Sequence, residues 1–389
     1  MLAQRPPMGW NTWNTFGKDI NETLIRESAD AFIDNGLKDA GYEYLVIDDC
    51  WSEYNRDPVT DRIVPHHEKF PNGMKVVADY VHSKGLKFGM YSCDGVRTCA
   101  DYPGSFDHEF LDAQTFAEFG VDYLKYDNCY KPNNADGPSL YRRMAMALRA
   151  SGREILFSAC NWGTDDVWTW IRGAGAHMYR STGDINDSAE SYRNIVLSQA
   201  DKFGYSAPGC YNDIDMLTVG MYGKGNVAFG NACTDTDYKT QFALWALFSA
   251  PLMLGGDIRN MSDYCKKLVL NKNLIRINQD IESRAPYQVF EGKAQYGSGD
   301  WWFNEDNTAL TFIKHMSDNE FAIGYFNLGG KDGDVCFTFA NAGLPYGSGY
   351  GFEMTDVFTG ENIGVKRDYF NARVQPHDCA LYIAKIVKA

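Results

Sequence analysis

The feature that most limits the architecture is a run of short apolar segments, each ending in polar residues. Tyr44-Leu45-Val46-Ile47 runs into Asp48 and Asp49, Lys87 to Tyr91 into Ser92-Cys93-Asp94, and Tyr123 to Tyr126 into Asp127. Ile155-Leu156-Phe157 leads to Cys160-Asn161-Trp162, and His177-Met178-Tyr179 to Arg180 and Asp184. Tyr211 leads to Asn212-Asp213-Ile214-Asp215, and Pro251 to Leu254 to Gly255-Gly256-Asp257. Between them Ile25–Leu37, Val76–His82, Leu111–Phe119, Tyr141–Leu148 and Phe242–Phe248 carry apolar residues three and four apart, the spacing of a helix with one buried face. A strand and a helix about every 30 to 45 residues, about eight times over, predicts a (β/α)8 barrel whose first strand is Pro7-Met8-Gly9-Trp10. An open doubly wound sheet would need a Gly-x-Gly-x-x-Gly loop after that strand, and none is present. In a barrel the chemistry sits at the carboxyl ends of the strands, where these polar residues fall.

After Gln279-Asp280 the pattern changes to short alternating runs: Ala309–Ile313, Phe321–Phe326, Val335–Phe339 and Cys379–Val387. They predict a C-terminal antiparallel β-sandwich, dividing the chain into a barrel at 1–283 and a sandwich at 284–389. A net charge of −14 argues against nucleic acid and anionic membrane surfaces as partners. Phe242–Gly256, the longest apolar stretch, is too short to cross a bilayer and contains Pro251, so it is expected to be a buried helix running into the last barrel strand. The opening seven residues lack the apolar core of a secretory signal, and the ten cysteines contain no C-x-x-C pair. The expectation is a cytoplasmic protein with no metal and no cofactor, its oligomeric state left open.

Within Tyr123-Leu124-Lys125-Tyr126-Asp127-Asn128-Cys129, strand alternation turns Lys125 and Asp127 to the same side. A cation two positions away favours an ionised Asp127, as a covalent nucleophile requires, although a structural ion pair at a strand end has the same sequence. Asp184 follows Gly183 ahead of a helical segment and could serve as its N-cap. Asp48 and Asp49 are adjacent, so both can face the barrel axis only if the chain bends there.

Five of these segments, in order, resemble glycoside hydrolase family 27, whose common activity is α-galactosidase: Pro7 to Asn14, Ile47 to Trp51, Tyr123 to Cys129, Arg180 to Asp184 and Asn212 to Leu217. The resemblance runs from about Pro7 to Asp280 and on into the sandwich. It implies a cofactor-free, retaining, exo-acting hydrolase of terminal α-galactosyl residues in melibiose- or raffinose-type oligosaccharides or glycoconjugates. Asp127 would be the nucleophile and Asp184 the acid/base, with Asp184 expected to hold a proton through a raised pKa. Asp48 and Asp49 would accept from the sugar's 4- and 6-hydroxyls, Lys125 would donate to a ring hydroxyl, and Arg180 and Asp215 would hold the 2- and 3-hydroxyl side. Trp13 would stack on the ring, Trp162 and Cys129 would line the wall, Met216 would be among the substrate-binding residues, and Asn161 would lie where the 2-substituent is read. Cys99 and Cys129 would pair next to the site.

Three departures matter. Asn161 stands where Glu is frequent in the family, which keeps an α-N-acetylgalactosaminidase open beside the family's β-L-arabinopyranosidases. Cys50 lacks the partner it has in secreted members, and Cys210-Tyr211 replaces a usual Gly-Trp. Two other classes compete: a barrel enzyme holding Mg²⁺ on Asp48, Asp49, Asp127, Asp213 and Asp215, and a non-catalytic sugar-binding protein. Lys125 and Arg180 would repel a cation in the first, and the second has no need of both Asp127 and Asp184.

Overall fold

The computed structural model describes residues 2–290, 309–330 and 332–389. They fall into two compact units. The first comprises Met1–Asp187, Pro208–Ala232 and Pro251–Lys266. It contains eight parallel strands: β1 (Met8–Asn11), β2 (Tyr44–Val46), β3 (Lys87–Cys93), β4 (Tyr123–Asp127), β5 (Leu156–Cys160), β6 (Met178–Arg180), β7 (Tyr211–Asp213) and β8 (Leu252–Leu254). Hydrogen-bonded neighbours run β7-β6-β5-β4-β3-β2-β1-β8. Leu217, just past β7, closes the ring by pairing in parallel with Leu254. Leu217 N donates to Met253 O, and Gly255 N to Leu217 O, both at 2.8 Å. This is the (β/α)8 barrel that the sequence pattern predicts.

Tyr44, Val46, Tyr123, Leu156, Met178, Tyr211 and Met253 cluster as one buried core. The intervening Leu45, Leu124 and Phe157 are also buried, because helices cover the outside of a barrel. Helix starts follow local chemistry: Asn21 accepts from Leu24 N ahead of helix Glu22–Asp34, and Asp136 accepts from Ser139 N ahead of helix Gly137–Ala150.

Strand register sets up the site. Cys93 pairs with Asp127, Asp127 with Cys160, Cys160 with Arg180, and Arg180 with Asp213. The strand-end residues Asp127, Arg180 and Asp213 therefore lie on one rung of the ring, with Lys125 and Tyr91, a pair themselves, two residues below.

The second unit comprises Ser188–Ala207, Cys233–Ala250 and Lys267–Ala389. It carries helices Ala189–Gln199 and Asp235–Leu247, the latter opened by a Thr234/Asp237 capping box. Its strands are β9 (Tyr287–Phe290), β10 (Ala309–His315), β11 (Glu320–Asn327), β12 (Gly333–Thr338), β13 (Tyr350–Asp356), β14 (Asn362–Lys366), β15 (Tyr369–Val374) and β16 (Asp378–Lys388). They form an antiparallel sheet in the order β14-β13-β16-β11-β10-β9 and a pair β12-β15. Ile313, Ile323, Tyr325, Val335, Phe337, Phe352 and Met354 share one core, as a β-sandwich requires.

Candidate active site

Asp127 ends β4 and is 7 % exposed. Its Oδ2 accepts from the Tyr91 hydroxyl at 3.0 Å and its Oδ1 from the Asn128 amide at 2.9 Å. These bonds orient both oxygens without covering the carboxyl with a cation. The expected Lys125–Asp127 pair takes a different form: Lys125 Nζ donates to Asp48 Oδ2 at 2.7 Å and sits 5.3 Å over the Tyr91 ring. Burial raises the Asp127 pKa, and the Lys125 charge and the two hydrogen bonds pull back against it. Lys125 does favour the ionised form, as expected, but burial outweighs it and the net shift is upward, with the ammonium hydrogen-bonded to Asp48 rather than to Asp127.

The chain bends at the Asp-Asp pair as required. Strand β2 stops at Val46, and Cys50 adopts a left-handed φ of 69°. Asp48 accepts from Asn11 Nδ2 (2.7 Å), Lys125 and the Asp49 amide, while its own amide donates to Thr12 Oγ1. Asp49 accepts from the amides of Cys50 (2.7 Å) and Ala100 (3.2 Å), with its carboxyl pushed up by burial to about 6 against the Thr98 hydroxyl bond. Gly73 stands at the start of the next helix, Met74–Ser83, so neither acid caps it.

Arg180, at the end of β6, is 4 % exposed and joins two acids. Its Nη2 lies 2.8 Å from Asp184 Oδ1 and 2.5 Å from Asp215 Oδ2. Asp215 has φ +82° and also accepts from the Ile185 and Met216 amides at 2.6 Å each. Ser188 caps helix Ala189–Gln199, so Asp184 does not. Its carboxyl stays 74 % exposed. Burial raises its pKa, but the charges of Arg180 and Lys125 and the Arg180 hydrogen bond outweigh that and leave it lowered. The expected raised pKa is corrected on that ground.

Asn161 was expected where the sugar's 2-substituent is read. It is 0 % exposed, and its Oδ1 takes the Thr164 hydroxyl at 2.8 Å. Trp162, at φ +59°, and Trp13 are half-buried, with Trp13 packed against the barrel core. Cys129 and Met216 are buried, and Cys129 is disulfide-bonded to Cys99. Cys50 is a buried free thiol. Cys210 and Tyr211 are wholly buried, and Tyr211 fills the barrel interior at the start of β7 rather than the rim.

The Mg²⁺ alternative loses its geometry. Asp48 faces Lys125 and Asp215 faces Arg180. Among the described residues the five aspartates do not gather their oxygens within 4.8 Å. Tyr91, Asn11, Thr98 and Ala100 join the site without a motif that singles them out as its ligands; strand alternation from Cys93 and the register opposite Lys125 point to Tyr91 alone.

Residues 5–280 match the family described as Alpha galactosidase A, and residues 306–384 match the Alpha galactosidase C-terminal beta sandwich domain. The chain belongs to the α-galactosidase family, glycoside hydrolase family 27. It is 39% identical over 383 residues to an α-galactosidase of Cyamopsis tetragonoloba, covering 98% of this chain and 86% of that relative. Its fold is similar to α-galactosidase I of Mortierella vinacea, with TM-score 0.88, 31% identity, and 98% and 97% of the two chains covered. The Saccharomyces cerevisiae α-galactosidase solved with raffinose gives TM-score 0.87 at 28% identity over 99% and 98% of the chains. Family members with these lengths covered share both halves of the molecule.

Proposed function

We propose that this family 27 enzyme hydrolyses terminal α-galactosides of melibiose- or raffinose-type oligosaccharides with retention of anomeric configuration. The carrying observation is the shared rung. Asp127 on β4 and Arg180 on β6 are two strands apart, about 10 Å between backbones; Arg180 holds Asp184 at 2.8 Å, and both carboxyls act electrostatically on the Cys160 thiol of the strand between them. Side chains leaning inward from that spacing suit the roughly 5–5.5 Å carboxyl separation of a retaining pair. The raffinose complex of the yeast relative supports the substrate class.

In the first step an Asp127 oxygen attacks C1 while Asp184 gives its proton to the glycosidic oxygen. The C1–O bond breaks, the leaving alcohol departs, and a galactosyl ester forms on Asp127. In the second, Asp184 takes a proton from water, the hydroxide attacks C1, and Asp127 is released ionised. Asp184 can act as an acid only once its Arg180 contact is loosened. A sugar hydroxyl that draws the guanidinium toward Asp215 would do this, letting the carboxyl take up a proton. Asp48, Asp49 and Lys125 receive the outer hydroxyls. With Asn161 buried, no observation favours an N-acetylated substrate.

Asp127→Asn tests the reading. Turnover of nitrophenyl α-galactoside should vanish while galactose binding persists, and early NMR spectra of the wild-type reaction should show the α-anomer first. A β-anomer appearing first, or near-normal turnover by Asp127→Asn, would overturn it. A parallel panel of N-acetyl-α-galactosaminide and β-L-arabinopyranoside fixes the sugar.

A further inference from the structure

The connection after β2 folds back on itself as a hairpin. Ser52 pairs with Pro65, Glu53 N donates to Val64 O, and His66 N to Trp51 O, both at 2.9 Å. The hairpin brings Glu53 beside two consecutive histidines, and one donor atom from each of Glu53, His66 and His67 lies within 4.8 Å of the others. Two arms of this triad are already fixed. Glu53 Oε1 accepts from the His67 amide at 2.8 Å and contacts His67 Nδ1 at 2.6 Å. The His66 and His67 rings are parallel, with centroids 5.3 Å apart and planes at 9°.

We propose that Glu53, His66 and His67 bind a divalent transition-metal ion of the zinc, nickel or copper class. Two imidazole nitrogens with one carboxylate oxygen are a donor set for such ions rather than for Mg²⁺ or Ca²⁺, which take oxygen ligands. Metal–nitrogen bonds of about 2.0–2.1 Å in tetrahedral geometry hold donors about 3.4 Å apart, so Glu53 Oε1 and His67 Nδ1, at 2.6 Å, must part slightly to admit the ion, and the triad, within 4.8 Å, needs movements on the order of 1 Å. The His67 side chain is 77 % exposed, which gives it room to rotate and gives the ion a path in. The Glu68 amide donates to His66 Nδ1 at 3.2 Å, a long contact and the one hydrogen bond the ion would displace if it took that nitrogen. Three protein ligands leave a coordination position for water.

The same hairpin carries Trp51, whose indole N–H donates to Tyr91 O at 2.9 Å, and the Tyr91 hydroxyl holds Asp127. The ion therefore staples the loop that backs the Tyr91 strand without touching the carboxyls. The site is structural, and hydrolysis does not depend on it.

Calorimetric titration of the whole protein with Zn²⁺ and Ni²⁺ at neutral pH, with thermal unfolding run alongside, tests this. Saturable one-to-one binding and a raised Tm are expected, both weakened by at least about tenfold in affinity by His66→Ala and by Glu53→Gln. His66→Ala leaves the Glu53–His67 pair in place and should hydrolyse nitrophenyl α-galactoside at the wild-type rate, which verifies that it is folded. Absence of saturable binding, or equal affinity in wild type and both variants, would overturn the assignment.

Discussion

Replacing Cys99 with serine should loosen the surroundings of Asp49 more than those of Asp127. The Cys99–Cys129 bridge joins residues 30 apart. In the chain-entropy account, closing a loop of that length stabilises by about 3 to 4 kcal/mol. Its two ends have different duties. The 95–104 loop supplies the Ala100 amide and the Thr98 hydroxyl to Asp49, whereas Asp127, two residues before Cys129, is held by Tyr91 and Asn128. Without the bridge Asp49 loses positioned donors, and about 1.4 kcal/mol of lost acceptor alignment corresponds to a tenfold rise in KM. The rate constant kcat should change by less than about threefold. Because Cys99 is exposed, serine there disturbs no packing. Equilibrium urea unfolding and steady-state hydrolysis of wild type and Cys99→Ser give both quantities. Thiol titration in denaturant should find eight free thiols of the ten cysteines before reduction. An unchanged unfolding midpoint together with an unchanged KM refutes the reasoning; a collapse of kcat at constant KM would mean that the bridge positions Asp127 instead.

Lys125→Met should leave Asp48, 2 % exposed, as a buried carboxylate without its cation, costing about 3–5 kcal/mol. Asp48→Asn in the same chain should restore most of the stability measured by thermal unfolding but none of the activity. Lys314, wholly buried with its ammonium on Ser249 Oγ and Ile277 O at 2.6 Å each, has its pKa pushed down by burial to about 7, with Asp280 acting against the shift. The unfolded value is about 10.4, so as pH falls from 10 to 7 the unfolded chain gains a proton the folded chain refuses. Stability attributable to this group is full above that range and declines by about 3 to 4 kcal/mol across it. Lys314→Met should flatten that limb in urea titrations at the two pH values, and an identical slope in both proteins would refute it.

The barrel was legible because parallel strands buried on both faces read as unbroken apolar runs, and each ended where the chemistry lies. The sandwich was legible only in part. Strands β10, β11, β12 and β16 are apolar and alternating, whereas β13 to β15 lie among glycines and charges (Tyr350-Gly351, Asn362-Ile363-Gly364) that read as turns. Their pairing with β16 and β12 supplies what local propensity lacks. In the site, residue identity marked candidate acids but not their partners. Strand alternation makes Lys125 the neighbour of Asp127, and only the barrel's closure brings Asp48 closer. Asn161 had the right place in the chain, yet the turn through Trp162 folds its amide inward beneath Thr164.

Charge balance gives the site its proton economy. Asp48, Asp49, Asp127, Asp184, Asp213 and Asp215 face two cations, Lys125 and Arg180. In a low dielectric that imbalance cannot persist fully ionised, so burial pushes Asp49 and Asp213 to about 6 and raises Asp127 and Asp215 as well. Asp184 alone runs the other way, because the charges of Arg180 and Lys125 and the Arg180 hydrogen bond outweigh its burial. The guanidinium is shared between Asp184 and Asp215, and the bond it gives up decides which of them can hold a proton. A substrate that shifts Arg180 toward Asp215 therefore lowers the cost of protonating Asp184 and of ionising Asp215 in one movement. In the mechanism proposed above, the acid for the first step need not be stored in the free enzyme; binding the sugar would create it.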